Sequence, residues 1–401
     1  MKVVIAPDSF KECLPAADVA DALARGILEV AGDARVDLCP MADGGEGTVA
    51  AMVAATGGTT RTVDVWGPLG AAIRARFGLL GSDRTAGLPG ELGLAGAVGR
   101  RDDGDEPARS PVVEMAAASG LTLVPSQRRD PLRTTTYGTG QLIAAALETG
   151  CEEIIVGVGG SATVDGGCGA AQALGVRFLD ADGRELPPGI NGSMLSAIAA
   201  IDLAGRDARL DAVTLRVACD VTNPLTGPEG AARVYAPQKG ATPETVERLA
   251  EGLEHLAMMI RRETGRIVAG ERGAGAAGGL AAGLAAITDA TLEPGAALVA
   301  DAVALPARLT GADLCLTGEG RLDAQTGAGK TAFAVARLAR AASVPVVCIP
   351  GRADADAPDA FDAVRPLVAG DVAEHDALRD PAGWLARRAA EVVGDHAAGR
   401  L

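Results

Sequence analysis

Apolar runs alternate with stretches of helical period at both ends of the chain, which is the pattern of a parallel sheet with helical crossovers. In the first helical stretch, which follows Pro15, the apolar residues Val19, Leu23 and Ile27 recur every four positions. The predicted strands cover residues 2–6, 36–39, 313–316 and 344–349, and the predicted helices cover 15–30, 49–55, 296–309 and 331–340.

The middle of the chain has a different character. Apolar and polar residues alternate at 59–67 and 71–80, which predicts antiparallel strands. Further buried strands are expected near 112–115, 154–156 and 213–219, with helices at 137–147 and 243–263, and a surface loop is expected at 81–110. The predicted fold class is therefore α/β. A discontinuous Rossmann-like parallel-sheet domain (1–65 and 290–401) receives a second α/β domain (66–289), with the active site in the interdomain cleft.

The segment 154–174 reads as a strand, a glycine loop and a helix. Six glycines, Gly159 and Gly160 among them, fall within the thirteen residues 157–169. Glycines let main-chain N–H groups turn toward an anion, and Ser161, Thr163 and Asp165 add short polar side chains. This pattern indicates a phosphate-binding loop, although glycines that only permit tight turns would look the same.

Polar residues also follow the other predicted strands. The loops at the carboxyl ends of parallel strands share one edge of the sheet, where ligands bind. Carboxylates together with glycine amides indicate a metal-bound polyphosphate, since Mg²⁺ takes one or two carboxylates plus phosphate oxygens. Single acids that only cap helices are the alternative. The polar residues are Asp8, Ser9, Lys11, Asp43, Glu319, Asp323 and Arg352 in the first domain, and Asp220 and Asn223 in the inserted one.

Two glycine strings are ambiguous. Residues 327–331, GAGKT, look like the end of a P-loop, but the first glycine of that motif would fall at Ala324. Lys330 is therefore expected either to contact a phosphate or to begin a helix and face solvent. Residues 273–278 match GxGxxG without a clear preceding strand, which favours a helix-packing role.

Composition narrows the function. A net charge of −15 argues against a nucleic-acid or anionic-membrane partner. Seven cysteines without a CxxC pair indicate reduced thiols, and the chain starts with a strand-like segment rather than a signal peptide, so a cytoplasmic protein is expected. The only histidines, at 255, 375 and 396, lie far from the loops, so a histidine-based triad is not expected.

Six segments in order resemble the bacterial glycerate kinase family, over residues 1 to about 370. They are APDSFK at 6–11, MADGGEGT at 41–48, GVGGSATVDGGCGAAQALG at 157–175, ACDVTNPLTGPEGAA at 218–232, APQKGA at 236–241 and TGEGRLDAQTGAGK at 317–330. One departure is Glu12-Cys13, where the family usually has Gly-Ser.

The resemblance implies a two-domain kinase that uses ATP and Mg²⁺ to phosphorylate D-glycerate. Its product is expected to be 2-phosphoglycerate, with 3-phosphoglycerate as the alternative. The small molecules are the expected partners, and the chain is expected to be a monomer or a small homo-oligomer. Two other functions remain open: a non-catalytic sugar-acid sensor, and a dehydrogenase that uses Gly273.

Site residues follow on that hypothesis. Asp220 is the expected base, with Lys11 and Asp8 as further catalytic residues. Metal ligands are expected at Asp43, Glu319 and Asp323. Residues expected to bind substrate or phosphate are Ser9, Gly159, Gly160, Ser161, Thr163, Asp165, Asn223, Lys239, Lys330 and Arg352.

Overall fold

The structure is a computed structural model that describes residues 1–10, 13–81, 110–323, 330–354, 359–370 and 372–401. Its strands are β1 (Lys2–Ile5), β2 (Arg35–Leu38), β3 (Thr59–Trp66), β4 (Ala72–Leu79), β5 (Pro111–Glu114), β6 (Glu153–Gly157), β7 (Arg177–Leu179), β8 (Ala200–Asp202), β9 (Thr214–Ala218), β10 (Thr291–Glu293), β11 (Leu314–Thr317), β12 (Arg321–Leu322), β13 (Val346–Cys348), β14 (Arg352–Ala353) and β15 (Ala363–Val364). Its helices are α1 (Ala16–Val30), α2 (Thr48–Thr56), α3 (Ala116–Ser119), α4 (Tyr137–Leu147), α5 (Cys168–Ala173), α6 (Ala231–Tyr235), α7 (Pro243–Thr264), α8 (Ala276–Ile287), α9 (Gly295–Ala302), α10 (Leu305–Leu309), α11 (Thr331–Ala341), α12 (Glu374–Arg379) and α13 (Pro381–Ala397).

A five-stranded parallel sheet combines both ends of the chain, in the order β15-β13-β11-β1-β2. Successive side chains of a strand point to opposite faces, so Val3 and Ile5 pack under α1 and α13 while Val4 packs with α9 and α11. Burial on both faces explains why these strands are apolar without alternation. The predicted α/β class is confirmed.

The second large sheet is mixed and has six strands, in the order β10-β9-β6-β5-β4-β3. The predicted antiparallel hairpin is β3–β4, and β5, β6, β9 and β10 run parallel. Strands β3 and β10 pair within this sheet, so it extends beyond the predicted segment 66–289 at both ends, to Thr59 and Glu293. The two sheets share a hydrophobic cluster, in which Ile155 and Ala218 pack with Val4 and Met41.

Two local features differ from the sequence-based prediction. The predicted helix 296–309 is interrupted, because Ala304 adopts a left-handed conformation (φ 55°) between α9 and α10. No helix was predicted between residues 227 and 239, where the structure has the short helix α6. The loop expected at 81–110 lies mostly outside the described residues.

The GxGxxG string packs as predicted. A Cβ on Gly278 would lie 2.0 Å from the carbonyl oxygen of Thr163, so α8 meets the glycine loop main chain to main chain. All seven cysteines are free thiols, as predicted. Among the described helices, none is long and apolar enough to cross a membrane.

Candidate active site

A cavity of about 360 Å³ opens where loops from both sheets meet. One wall is the loop after β2, and the others are the turns after β6 and β9, the start of α8 and the segment after α6. The lining residues are Asp43, Gly44, Gly45, Leu121, Val158, Gly159, Gly160, Ser161, Ala218, Cys219, Asp220, Val221, Tyr235, Gln238, Lys239, Ala276 and Ala277. No histidine lines this cavity.

Glycines let the two sheets approach main chain to main chain at this point. The N–H of Gly159 donates to the carbonyl oxygen of Gly44 at 3.2 Å. A Cβ on Gly159 would stand 2.5 Å from the Cα of Gly45, closer than real Cβ atoms come. A side chain at Gly159 would therefore push the loop after β2 away from the loop after β6.

Asp220 and Asp43 form the acidic end of the cavity. Asp220 follows β9, and its Oδ1 accepts a hydrogen bond from the N–H of Gly295, the first residue of α9, at 2.7 Å. Burial by the surrounding protein, followed by the charge of Asp43, raises the pKa of Asp220 to about 7. Asp8 adds a smaller repulsion. The side chain remains open to the cleft, so it is both accessible and an effective proton acceptor near neutral pH.

Glu114, at the end of β5, holds the loop that carries Asp43. Helix α2 has Gly47 as its N-cap residue and no side-chain cap of its own. The carboxylate of Glu114 accepts the N–H of Val49 at 2.5 Å, so a residue of the other sheet caps this helix. Sequence reasoning missed Glu114; its only local signal is a charge at the end of a buried strand.

Lys239 forms the cationic end. Its side chain is almost completely buried, and its Nζ donates to the hydroxyl of Ser161 at 2.7 Å and to the carbonyl of Thr163 at 2.8 Å. Burial lowers the pKa of Lys239 to about 7, against the opposing charge of Asp165. Thr163 thus contributes its carbonyl, while its hydroxyl lies 3.5 Å from the carbonyl oxygen of Ala277.

Asp165 is fully buried and does not line the cavity. Its carboxylate accepts hydrogen bonds from the N–H and hydroxyl of Thr136, both at 2.7 Å, and from the N–H of Gly167 at 3.1 Å. These bonds lower its pKa, but the larger effect of burial raises it. The geometry therefore makes Asp165 a brace of the glycine loop rather than a phosphate ligand.

Asn223 also lies behind the cavity wall. Its amide nitrogen donates to the carbonyl of Glu229 at 2.9 Å, and its oxygen accepts the hydroxyl of Tyr235 at 2.6 Å. Because Tyr235 lines the cavity, Asn223 fixes that ring and the turn after β9.

A second polar group of residues lies at the carboxyl ends of β1 and β11 and consists of Asp8, Ser9, Asp323, Lys330 and Thr331. Asp8 accepts the hydroxyl of Thr331 at 2.5 Å and the N–H of Ser9 at 2.6 Å. Lys330 directly precedes α11, and its Nζ lies 3.1 Å from Asp323. Lys330 thus stands at the start of a helix, as one of the two alternatives predicts, and its partly exposed ammonium group pairs with Asp323.

The remaining predicted residues take separate positions. Glu319 is buried in the loop after β11, and Arg352 is exposed in β14, 3.7 Å from Asp354. Neither lines the cavity. Lys11 lies outside the described residues.

A model of the glycerate kinase family matches residues 3–396. The glycerate kinase of Bacillus subtilis (strain 168) is 45% identical over 98% of this chain and 97% of its own length. The glycerate 2-kinase of Escherichia coli (strain K12) is 45% identical over 88% of this chain and 85% of its own. A crystal structure from Salmonella typhimurium LT2, provisionally named as glycerate kinase 2, shares 46% identity with a TM-score of 0.86, covering 100% of this chain and 99% of that one.

Proposed function

The chain belongs to the glycerate kinase family, and we propose that it transfers the γ-phosphoryl group of ATP to D-glycerate, forming 2-phosphoglycerate and ADP. The observation that carries this proposal is the cavity between the sheets, with the exposed Asp220 at one end and the buried Lys239 at the other. A small anionic hydroxy acid needs such a pair, one group for its negative charge and one for its hydroxyl proton. The E. coli relative, named glycerate 2-kinase, supports the 2-position.

Asp220 accepts the proton of the attacking hydroxyl. Burial, together with the charge of Asp43, raises the pKa of Asp220 to about 7, which strengthens it as a base while leaving much of it ionised near neutral pH. Its bond to the N–H of Gly295 fixes the carboxylate at the start of α9. The closely packed glycine loops then hold acceptor and base in one orientation, which lowers the entropic part of the barrier.

Lys239 and the glycine loop hold negative charge. Two of the three N–H donors of Lys239 are bound to Ser161 and Thr163. The third is free to meet a substrate oxygen in the cavity that this lysine lines. The main-chain N–H of Gly160 supplies a further donor for the anion, whereas that of Gly159 is already bonded to Gly44.

Nucleotide phosphates are assigned to the second polar group, with Lys330, Ser9 and Asp8. It lies at the carboxyl ends of the terminal strands, close enough for Asp8 to influence Asp220 electrostatically. Lys330 and Thr331 lie at the start of α11, where the hydroxyl of Thr331 donates to Asp8. Arg352 is exposed in β14. Lys11, one of the predicted catalytic residues, keeps that assignment as part of the proposal.

The carboxylates of the site fit Mg²⁺ if substrate phosphates supply the remaining ligands. Within the described residues, no group of three or more candidate side chains could hold a metal alone. Mg²⁺ commonly binds through one or two carboxylates together with substrate phosphates, and Asp43, which repels Asp220, is suited to that role. Glu319 and Asp323 are the other proposed ligands. When bound with ATP, the ion neutralises charge on the transferred phosphoryl group.

The proposed reaction takes place in the cytoplasm, which the seven free cysteines support, since reducing compartments preserve thiols.

The test of the proposed function is ADP release from the purified protein with ATP, Mg²⁺ and D-glycerate, followed by phosphorus NMR of the product. Glycerate-dependent turnover with phosphorus coupled to the proton at C2 would support the proposal. Coupling to C3 protons would replace the product by 3-phosphoglycerate, and binding of glycerate without turnover would favour a sensor.

A further inference from the structure

Two carboxylates from different sheets meet at the acidic end of the cavity. Asp43 lies in the loop after β2, residues 39–47, and Asp220 follows β9 of the six-stranded sheet. Gly295 lies between them, since a Cβ there would stand 1.9 Å from the carbonyl oxygen of Asp43 and 3.2 Å from Oδ1 of Asp220. The relative position of the two carboxylates therefore depends on how the loop after β2 is held against the six-stranded sheet.

The hydrogen bonds inside this loop do not attach it to the six-stranded sheet. Oδ1 of Asp43 accepts the N–H of Gly45 at 3.0 Å. The hydroxyl of Thr48, the first residue of α2, donates back to the carbonyl of Gly45 at 2.8 Å and leaves the helix without a side-chain cap. Gly44 and Gly47 both have left-handed φ angles, 90° and 95°. The loop therefore needs partners outside itself to keep Asp43 in place.

Glu114 attaches the loop to the six-stranded sheet. It is the last residue of β5, and its carboxylate accepts the N–H of Val49, the second residue of α2, at 2.5 Å. Burial raises the pKa of Glu114, and the N–H groups of Val49 and Gly47 oppose this shift, so both groups face the carboxylate. Within the part of the chain that the structure describes, no other side chain of this sheet bonds to the loop or to the start of α2. The other attachment is the main-chain bond from Gly159 to Gly44.

The cationic end of the cavity is built without this loop. Nζ of Lys239 donates to the hydroxyl of Ser161 and to the carbonyl of Thr163, both in the loop after β6. Asp165 braces that loop by accepting the N–H and the hydroxyl of Thr136. Because none of these bonds includes a residue of the loop after β2, a displacement of Asp43 should leave the groups that bind the anion in place.

We propose that Glu114 is a positioning residue for phosphoryl transfer, which fixes the loop after β2 on the six-stranded sheet and holds Asp43 opposite Asp220. This inference rests on the proposed function, in which Asp220 takes the proton of the attacking hydroxyl. Glu114 does not line the cavity, so it acts through the loop and not by contact with a substrate. Misplacing a reacting group by about 1 Å can slow a reaction roughly 100-fold, so the loss of this attachment should lower kcat.

The experiment compares Glu114→Leu and Glu114→Gln with Thr56→Val, a change at the other end of α2. The hydroxyl of Thr56 donates to the carbonyl of Met52 at 2.8 Å and accepts the N–H of Gly81 at 3.1 Å, and Thr56 lines no part of the cavity. Glu114→Leu should lower kcat by roughly 10- to 100-fold, while the Kd for D-glycerate in calorimetric titration stays within about twofold of the wild type. Glu114→Gln, whose amide oxygen can accept the N–H of Val49, should recover part of kcat. Thr56→Val should lower the Tm but not kcat.

Hydrogen exchange of the wild type and of each variant tests the attachment without turnover. In Glu114→Leu the amides of residues 39–49 should exchange faster, while those of residues 161–165 keep their wild-type rates. If Glu114→Leu does not fold, Glu114→Gln gives the same comparison with a smaller effect.

Failure of the wild type to phosphorylate D-glycerate would count against the proposed function, whereas the exchange of residues 39–49 would still report on Glu114. The assignment of Glu114 is wrong if that exchange is unchanged, or if kcat falls no further in Glu114→Leu than in Thr56→Val. It is also wrong if the affinity for glycerate falls as much as kcat, since the effect would then not be confined to the acidic end.

Discussion

Replacing Asp220 by asparagine removes the proposed base while nearly preserving its shape. The amide oxygen can still accept the hydrogen bond that Asp220 takes from the N–H of Gly295 at 2.7 Å. The fold should therefore persist, while kcat should fall by roughly 10²- to 10⁴-fold, the usual contribution of a positioned general base.

The pH dependence follows from the same carboxylate. Burial and the charge of Asp43 raise the pKa of Asp220 to about 7, and a base works only when it is ionised. Wild-type kcat/KM should fall roughly tenfold for each pH unit below about 7. The residual activity of Asp220→Asn should lack this acid limb, since the amide does not titrate.

Stability should change in the opposite direction from activity. An aspartate in the unfolded chain has a pKa near 3.9, so the folded protein retains the Asp220 proton to higher pH. The corresponding contribution to the free energy of unfolding is present at low pH and is lost as the pH rises through about 7. Because asparagine is always neutral, Asp220→Asn should melt at or above the wild-type Tm at about pH 8.

The assay is ADP release over a range of pH, together with thermal unfolding of each variant. Asp380→Asn is the matched control, since Asp380 also caps a helix, accepting the N–H of Gly383 at 2.9 Å at the start of α13, and lines no part of the cavity. It should change the Tm but not turnover. Near-normal turnover by Asp220→Asn with the acid limb intact would refute the role of Asp220.

Three further predictions concern other parts of the structure. Burial lowers the pKa of Lys239 to about 7, so the affinity for glycerate should weaken as the pH rises above that value. Lys239→Met should abolish this loss of affinity at alkaline pH in measurements of KM. The same alkaline rise of KM in the variant and in the wild type would contradict the prediction. The Cβ of Gly159→Ala would lie 2.5 Å from the main chain of the facing loop. This variant should lower kcat and lower the free energy of unfolding in urea by about 1–3 kcal/mol. The control Gly270→Ala, whose Cβ meets nothing within 4 Å, should lower it far less. Arg308→Met should lower the free energy of unfolding by about 3–5 kcal/mol, because it leaves the buried Asp37 carboxylate, 2.5 Å away, without its partner. The double variant Arg308→Met with Asp37→Leu should recover most of this stability. A double variant as unstable as the single one would refute the ion-pair explanation.

The sequence alone was enough for the fold class, because local periodicity records which faces are buried. The unbroken apolar runs of β1 and β11 predicted strands covered on both faces, and the alternation over β3 and β4 predicted an antiparallel pair. The predicted helix 296–309 ran through the break at Ala304, where φ is 55°, although Pro306, in the first turn of α10, is a local signal that a helix ends or restarts there.

The sequence predicted where the site lies, but it did not predict which contacts its side chains make. Parallel strands bring their carboxyl ends to one edge of each sheet, and the predicted cleft between the two domains put Asp43 near Asp220 and the glycine loop. The same signal, a short polar side chain within the glycine loop, selected both Ser161 and Asp165, yet Ser161 lines the cavity and Asp165 is fully buried.

Only the tertiary structure decided the chemistry of these groups. Glu114 belongs to no local motif, and its importance comes from helix α2, which is distant in sequence. The raised pKa of Asp220 and the lowered pKa of Lys239 depend on burial and on neighbouring charges from other segments. Periodicity is a property of neighbouring residues and can be read along the chain, whereas desolvation and charge proximity arise only when separate segments are packed together.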